Sequence, residues 1–139
     1  MADKKTEGCI TVPCSIVPLT RELVHDLDKL NQPFLVFGRL IPSLVNCKWT
    51  WTEELFETPY EKRYPDDETN YREFIDNPDK IVYAAYADDR CIGRIRLRRN
   101  WNKFCFIEDI EVDRRHRRMG IGRKLIDAAI GWAREGGMR

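Results

Sequence analysis

The residues best equipped for chemistry lie in one short run, Arg117-Arg118-Met119-Gly120-Ile121-Gly122-Arg123-Lys124. Two glycines let the backbone approach a ligand closely. A strand-to-helix turn there would aim several N–H groups and the positive end of the helix dipole at one point. A pyrophosphate suits such a point, with Arg117, Arg118, Arg123 and Lys124 to meet further phosphate oxygens. The run does not fit a P-loop, because Gly-Ile-Gly is followed by Arg-Lys-Leu where that motif needs Gly-Lys-Ser/Thr. It does not fit a dinucleotide fingerprint either, lacking the third glycine. A nucleic-acid patch is the competing reading, since six of residues 113–124 are arginine or lysine. Against it stand the shortness of this one basic loop and a net charge of +1.

Such a turn works only between a strand and a helix, and the flanking patterns predict both. Ile121, Leu125, Ala129 and Trp132 recur on one helical face, and Gly136-Gly137 closes that helix. Upstream, residues 81–87, 91–98 and 103–112 read as a three-stranded antiparallel meander, turning at Ala87–Arg90 and Asn100–Asn102. In the middle strand Arg94, Arg96 and Arg98 alternate with apolar residues, as in a strand with one wet face. Nearer the N-terminus the pattern predicts a strand over 9–16 broken by Pro13, a helix over 21–30 with Leu23, Leu27 and Leu30 on one face, and a short helix over 66–76. Residues 31–65 carry Pro33, Pro42, Pro59 and Pro65 among seven aromatic side chains, and read as a loop or short-helix region lining a surface.

The 139 residues suffice for one domain, and the 42% hydrophobic fraction can build its core; residues 1–8 are expected to be disordered. No run reaches the ~18 apolar residues of a membrane span, and the first residues lack the apolar stretch of a signal peptide, so the expectation is a cytoplasmic protein without a membrane partner. Five scattered cysteines and two distant histidines give no disulfide framework and no metal site. Charge is segregated: residues 1–89 carry a balance of −7 and residues 90–139 one of +8. That separation fits either two solvated faces or a site with an anionic ligand on one side and a cationic one on the other.

The strand Phe106-Ile107-Glu108-Asp109-Ile110-Glu111-Val112-Asp113, followed by Arg117-x-x-Gly120-x-Gly122 and its helix, resembles the acetyl-CoA-binding core of the GNAT superfamily of N-acetyltransferases. Segments such as Lys48-Trp49-Thr50-Trp51-Thr52-Glu53-Glu54-Leu55-Phe56 and Tyr64-Pro65-Asp66-Asp67-Glu68 look more narrowly like its streptothricin acetyltransferases. The resemblance implies an α+β fold, a mixed and mostly antiparallel sheet flanked by helices. It implies acetyl-CoA as co-substrate, with Ile110 and Val112 offering main-chain bonds to the acetyl carbonyl and the pantetheine arm. Arg117, Arg118, Gly120, Ile121, Gly122 and Arg123 would surround the pyrophosphate. Acyl transfer to an amine needs that amine neutral, so a base must take its proton. Glu108 and Asp109 stand where the family's strand splays open; either is the candidate base, the competing role being an ion pair with Arg94 or Arg96.

The acceptor implied is a cationic small-molecule amine, namely the β-lysine moiety of streptothricin. Ten acids between Glu53 and Asp79 would draw a polycation, and Trp49, Trp51 and Tyr64 would wall an ammonium group. The family fold continues past the cofactor helix into further strands and a last helix, while this chain stops at Arg139. That leaves a second expectation, a non-catalytic acyl-CoA-binding or interaction module. It also leaves an open edge on the 103–112 strand, which favours a homo-oligomer or strand exchange.

Overall fold

Residues 81–112 form the expected meander, and a fourth strand joins it. The computed structural model describes residues 12–27, 30–65 and 68–139. In chain order the elements are β1 (Ser15–Pro18), α1 (Val24–Leu27), β2 (Phe34–Val45), β3 (Lys48–Lys62), β4 (Lys80–Ala87), β5 (Arg90–Arg99), β6 (Cys105–Val112) and α2 (Ile121–Glu135). Single 3-10 turns occupy Arg21–Leu23, Tyr71–Phe74 and Arg114–His116. Contacts divide the chain into two compact units, residues 31–66 and the remainder.

In the larger unit an antiparallel sheet runs in the order β1-β4-β5-β6. Asp88 and Asp89 join β4 to β5 with φ of 47° and 59°, the paired left-handed conformation of a two-residue hairpin turn. Both faces of the sheet are covered. On one, Ile121, Leu125 and Ala129 of α2 pack with Ala85, Ile92, Ile95 and Leu97. Gly93 permits that seating, because a Cβ there would stand 3.1 Å from the Glu111 carbonyl oxygen and 3.3 Å from Leu125. On the other face Leu19, Leu27, Leu30, Tyr71 and Phe74 cover Val82 and Ala84.

Several expectations change. The first strand begins only at Ser15, after Pro13; positions 9–11, like the N-terminal residues expected to be disordered, lie outside the described residues. The helix expected over 21–30 is a 3-10 turn followed by the single turn of α1, with Asp28 and Lys29 outside the described residues. The helix expected over 66–76 contracts to Tyr71–Phe74, where the Asn70 side chain accepts from the Arg72 N–H (3.3 Å); Asp66 and Asp67 are not described. The arginine face of β5 is wet only toward its C-terminal end: the Arg94 and Arg96 side chains are 6% and 14% exposed, that of Arg98 43%.

The largest correction concerns residues 31–65, which form neither a loop nor short helices. β2 and β3 pair antiparallel into a long two-stranded ribbon. Asn46 and Cys47, with φ of 50° and 60°, make its two-residue turn between the paired Val45 and Lys48. The prolines do not forbid this. Each strand of a two-stranded ribbon has one unpaired edge, where a missing N–H leaves no ladder bond broken. The register shifts between Val36 and Gly38, whose partners are Tyr60 and Leu55, and Pro59 falls in that irregularity.

Cys91 is buried and Cys105 half-buried, and burial pushes the Cys105 thiol up, away from reactive thiolate. Tyr86 donates to Asp26 Oδ2 (2.8 Å); burial first, and this bond second, push its hydroxyl well above the ordinary value of 10. The folded chain therefore keeps a proton that the unfolded chain releases above pH ~10. Stability from this group is complete below that pH and is lost as pH rises beyond it. Tyr86→Phe is expected to lower stability at pH 7 and to make the alkaline fall shallower, as measured by thermal melts between neutral and alkaline pH.

Candidate functional site

β6 leads through Arg114–His116 and the turn at 117–120 into α2. Arg118 has φ 64° and Gly120 φ 81°, and these two left-handed residues reverse the chain into the helix. The first helical bond runs from the Lys124 N–H to the Gly120 carbonyl (3.2 Å), so the N–H groups of Ile121, Gly122 and Arg123 have no carbonyl one turn earlier. A Cβ built on Gly120 would meet nothing within 4 Å, which leaves open space beside these donors. Val112, His116, Arg117, Arg118, Gly120, Ile121, Gly122 and Arg123 line a cavity of about 350 Å³ here. Six of these were expected around the pyrophosphate. Convergent N–H groups, a helix N-terminus and three arginines in open space fit that group.

His116 is a site residue that the motif pattern does not flag. Its Nδ1 lies 2.5 Å from Oδ2 of the buried Asp113, and its backbone N–H donates to the Asp113 carbonyl (2.9 Å). The ring is thereby oriented on the cavity wall. The Asp-x-x-His spacing before the glycines is the signal that could have found it.

β6 is the last strand in the sheet order. The Asp113 N–H donates to the Ile92 carbonyl (2.8 Å). By the alternation of an antiparallel ladder, Glu111 and Asp109 turn their main-chain groups to β5, while those of Ile110 and Val112 turn to the opposite edge. Both residues thus stand where main-chain contacts to a ligand are geometrically available. The Val112 carbonyl accepts from Arg117 Nε (3.1 Å), which engages one of its two lone pairs. At the N-terminal end of the strand, Arg139 bonds both to Lys103 and to Cys105 through the main chain (2.8 Å each).

Both carboxylates considered as bases are held by arginine. Arg94 Nε lies 3.0 Å from Asp109 Oδ2, and Arg94 also reaches Glu111 (3.3 Å) and the Leu27 carbonyl (2.9 Å). Glu108 is shared by Arg96 (3.2 Å) and Arg98 (3.1 Å). The irregularity opposite Arg96 and Leu97 places Glu108 outside the regular register between Asp109 and Ile107. Tyr71 lies under the guanidinium groups of Arg94 and Arg96, at 5.6 and 5.9 Å from its ring centroid. The ion-pair role weighed for these acids is therefore present, and for Asp109 it includes a hydrogen bond donated by Arg94 Nε.

The aromatic residues expected to wall a substrate are not brought together. Trp49 and Trp51 pair with Leu44 and Pro42 near the tip of the β2–β3 ribbon, whereas Tyr64 lies against Phe34 at its base, the ring centroids 5.2 Å apart and the planes tilted by 35°. At ~3.3 Å per residue these positions are on the order of 30 Å apart.

The family model of GNAT acetyltransferases, described as the Acetyltransferase (GNAT) family, matches residues 48–139, which include β6, the glycine turn and α2. The chain belongs to this family. Its fold is the mixed α+β architecture of GNAT acetyltransferases, and its relatives point the same way. Over 120 residues, 86% of this chain and 69% of the other, it is 42% identical to Streptothricin acetyltransferase A of Bacillus subtilis (strain 168). It is 34% identical to a streptothricin acetyltransferase of Escherichia coli over 76 residues, 55% of this chain and 40% of that one. Among solved structures, one assigned as a streptothricin acetyltransferase of Bacillus anthracis, crystallised with acetyl coenzyme A, matches with a TM-score of 0.79 at 36% identity, covering 91% of this chain and 71% of that one. Nourseothricin acetyltransferase matches with a TM-score of 0.72 at 27% identity, over 90% of this chain and 69% of that one. No helix among the described residues of this GNAT protein is long and apolar enough to cross a membrane.

Proposed function

We propose that this acetyltransferase moves the acetyl group of acetyl-CoA onto an amino group of a cationic small molecule, the β-lysine moiety of streptothricin, and so confers resistance to that antibiotic in the cytoplasm. The observation that carries the reading is the arginine-lined cavity at the N-terminus of α2, which Val112 of β6 also lines. Acetyl-CoA supplies an acetyl group already activated as a thioester. The N–H groups of Ile121, Gly122 and Arg123, with Arg117, Arg118 and the Asp113-held His116, take the pyrophosphate. The Ile110 N–H polarises the acetyl carbonyl without any side chain. Glu108 or Asp109, directly or through water, accepts the proton that the substrate ammonium must lose before its neutral amine attacks the thioester carbon; the C–N bond forms as the C–S bond breaks, and CoA leaves as a thiolate that takes up a proton to become the thiol. The acids of the N-terminal part, with a balance of −7 over residues 1–89, favour a polycationic substrate through long-range attraction.

Thiol release from acetyl-CoA, measured with streptothricin, free lysine and a short N-terminal peptide as acceptors, tests the reading. Streptothricin is expected to be acetylated with much the highest kcat/KM. Equal rates on all three would sink the specificity. Glu108→Gln and Asp109→Asn separate the two candidate bases. Loss of the base is expected to lower kcat ~100-fold or more while leaving acetyl-CoA affinity unchanged. The substitution that does not touch the base should lower kcat far less.

A further inference from the structure

The layer that covers the sheet opposite α2 contains a cavity that the acetylation reading does not use. The 3-10 turn Arg21–Leu23 runs on into α1, and residues three apart on such a turn stand nearly one above the other. Arg21 and Val24 therefore share a side, with His25 beside them. Arg72 and Ile75 share a side of the turn at Tyr71–Phe74 in the same way, the Ile75 N–H donating to the Arg72 carbonyl (3.3 Å). These five residues line one cavity of about 620 Å³, with the half-buried Val24 and Ile75 as its floor. Three of the five carry or can carry positive charge and none is an acid, although residues 1–89 as a whole hold a balance of −7. Elsewhere in that part Arg39 pairs with Glu54 (2.6 Å) and Lys80 with Glu73 (3.0 Å). Among the described residues neither Arg21 nor Arg72 makes such a pair. Glu22 does attract Arg21, but it is bonded to the Thr20 side chain and lines the neighbouring groove instead. His25 is held by Asp26 (3.2 Å), whose other oxygen accepts from Tyr86.

We infer that this cavity binds a small organic anion, a phosphate or carboxylate group carried on a compact apolar body. Two guanidinium groups facing one cleft repel each other, and an anion between them replaces that repulsion with charge-assisted hydrogen bonds. Arg21 and Arg72 meet the anionic head from the two turns, and His25 adds a third donor. Val24 and Ile75 take the apolar body. Past Arg21 and Ile75 the cavity continues into a groove of about 700 Å³ whose walls include Pro18, Leu19, Phe74 and Ile81. Volumes of this size are those of small-molecule sites. None of these residues lines the cavity at the glycine turn, so the inference stands apart from the acetylation reading.

Amide chemical-shift mapping of the unaltered chain, titrated with phenyl phosphate and with inorganic phosphate, tests it. Phenyl phosphate is expected to shift residues 21–25 and 72–75 saturably, and to bind there about fivefold or more tightly than inorganic phosphate, because only its ring covers the apolar floor. Shifts at residues 117–123 would form a separate set. Arg21→Ala and Arg72→Ala are each expected to weaken binding at 21–25 and 72–75 about tenfold. Arg134→Ala, which removes an exposed arginine of α2, is expected to leave it unchanged. Shifts confined to 117–123 overturn the inference and leave the pyrophosphate reading untouched. A drift that never saturates marks mere screening of surface arginines and also overturns it. So does binding that both alanine substitutions leave intact, or phenyl phosphate binding here no more tightly than inorganic phosphate. Mapping on the unaltered chain decides the matter even if a variant misfolds.

Discussion

Valine at Gly120 is expected to lower acetyl-CoA affinity by about two orders of magnitude or more, with the sheet left intact. The glycine has φ 81°, a conformation that costs an L-residue roughly 1–2 kcal/mol and a β-branched one more. No atom lies within 4 Å of the added Cβ, so the folded chain suffers no clash and the strain stays in the turn. Relaxing it rotates the N–H groups of Ile121, Gly122 and Arg123 away from their common point. Each charge-assisted hydrogen bond of this kind contributes ~1.5–3 kcal/mol, so misplacing two already accounts for the expected loss. Isothermal titration with acetyl-CoA, alongside circular dichroism of the free variant, checks it. Gly120→Ala provides the graded control, with a smaller loss in the same direction. Unchanged affinity in the valine variant would mean that the cavity at this turn does not hold the pyrophosphate.

The second large effect is expected at Arg94. Its side chain is 6% exposed and makes contacts with Asp109, Glu111, the Leu27 carbonyl and the Tyr71 ring. Arg94→Met keeps much of the aliphatic volume but leaves two partly buried carboxylates facing each other without their cation. Breaking a buried ion pair from one side typically costs ~3–5 kcal/mol, and the partial exposure of Asp109 and Glu111 places this case near the lower end. Arg98, with a 43% exposed side chain, is the comparison; Arg98→Met should cost no more than about 1 kcal/mol. Urea unfolding of both variants measures the difference. Equal midpoints would show that the arginine row is solvated after all. The Arg94 effect also bears on function, because Asp109 would lose the hydrogen bond donated by Arg94 Nε.

The reach of the sequence differs between elements for identifiable reasons. β4, β5, β6 and α2 are legible because each carries its own local period and its own turn signal, Asp88-Asp89 for the hairpin and Gly136-Gly137 for the helix end. The glycine turn is legible because close backbone approach demands particular residue types at particular positions, whatever surrounds them. The β2–β3 ribbon is hidden by its prolines, which count as strand breakers in an ordinary sheet. In a ribbon with two free edges a proline breaks nothing, and the alternation Trp49-Thr50-Trp51-Thr52 after Asn46 is the better guide. The arginine face of β5 is hidden for another reason. Alternation shows that Arg94, Arg96 and Arg98 share a face, but only contacts distant in sequence show what covers it.

The sequence by itself therefore determined the local matters: the meander, the amphipathic helix, the pyrophosphate-type turn and, through their order, membership of the GNAT family. Tertiary structure decided which charges are spent on one another. Tyr71 and Leu27 arrive from segments 23 and 67 residues away from Arg94 to close over it, and Asp113 draws His116 onto the cavity wall. Ion pairing depends on three-dimensional proximity and burial, neither of which is encoded in the spacing along one strand. The same holds for the tryptophans, whose exposure on a common face becomes visible only once the register of β2 against β3 is known.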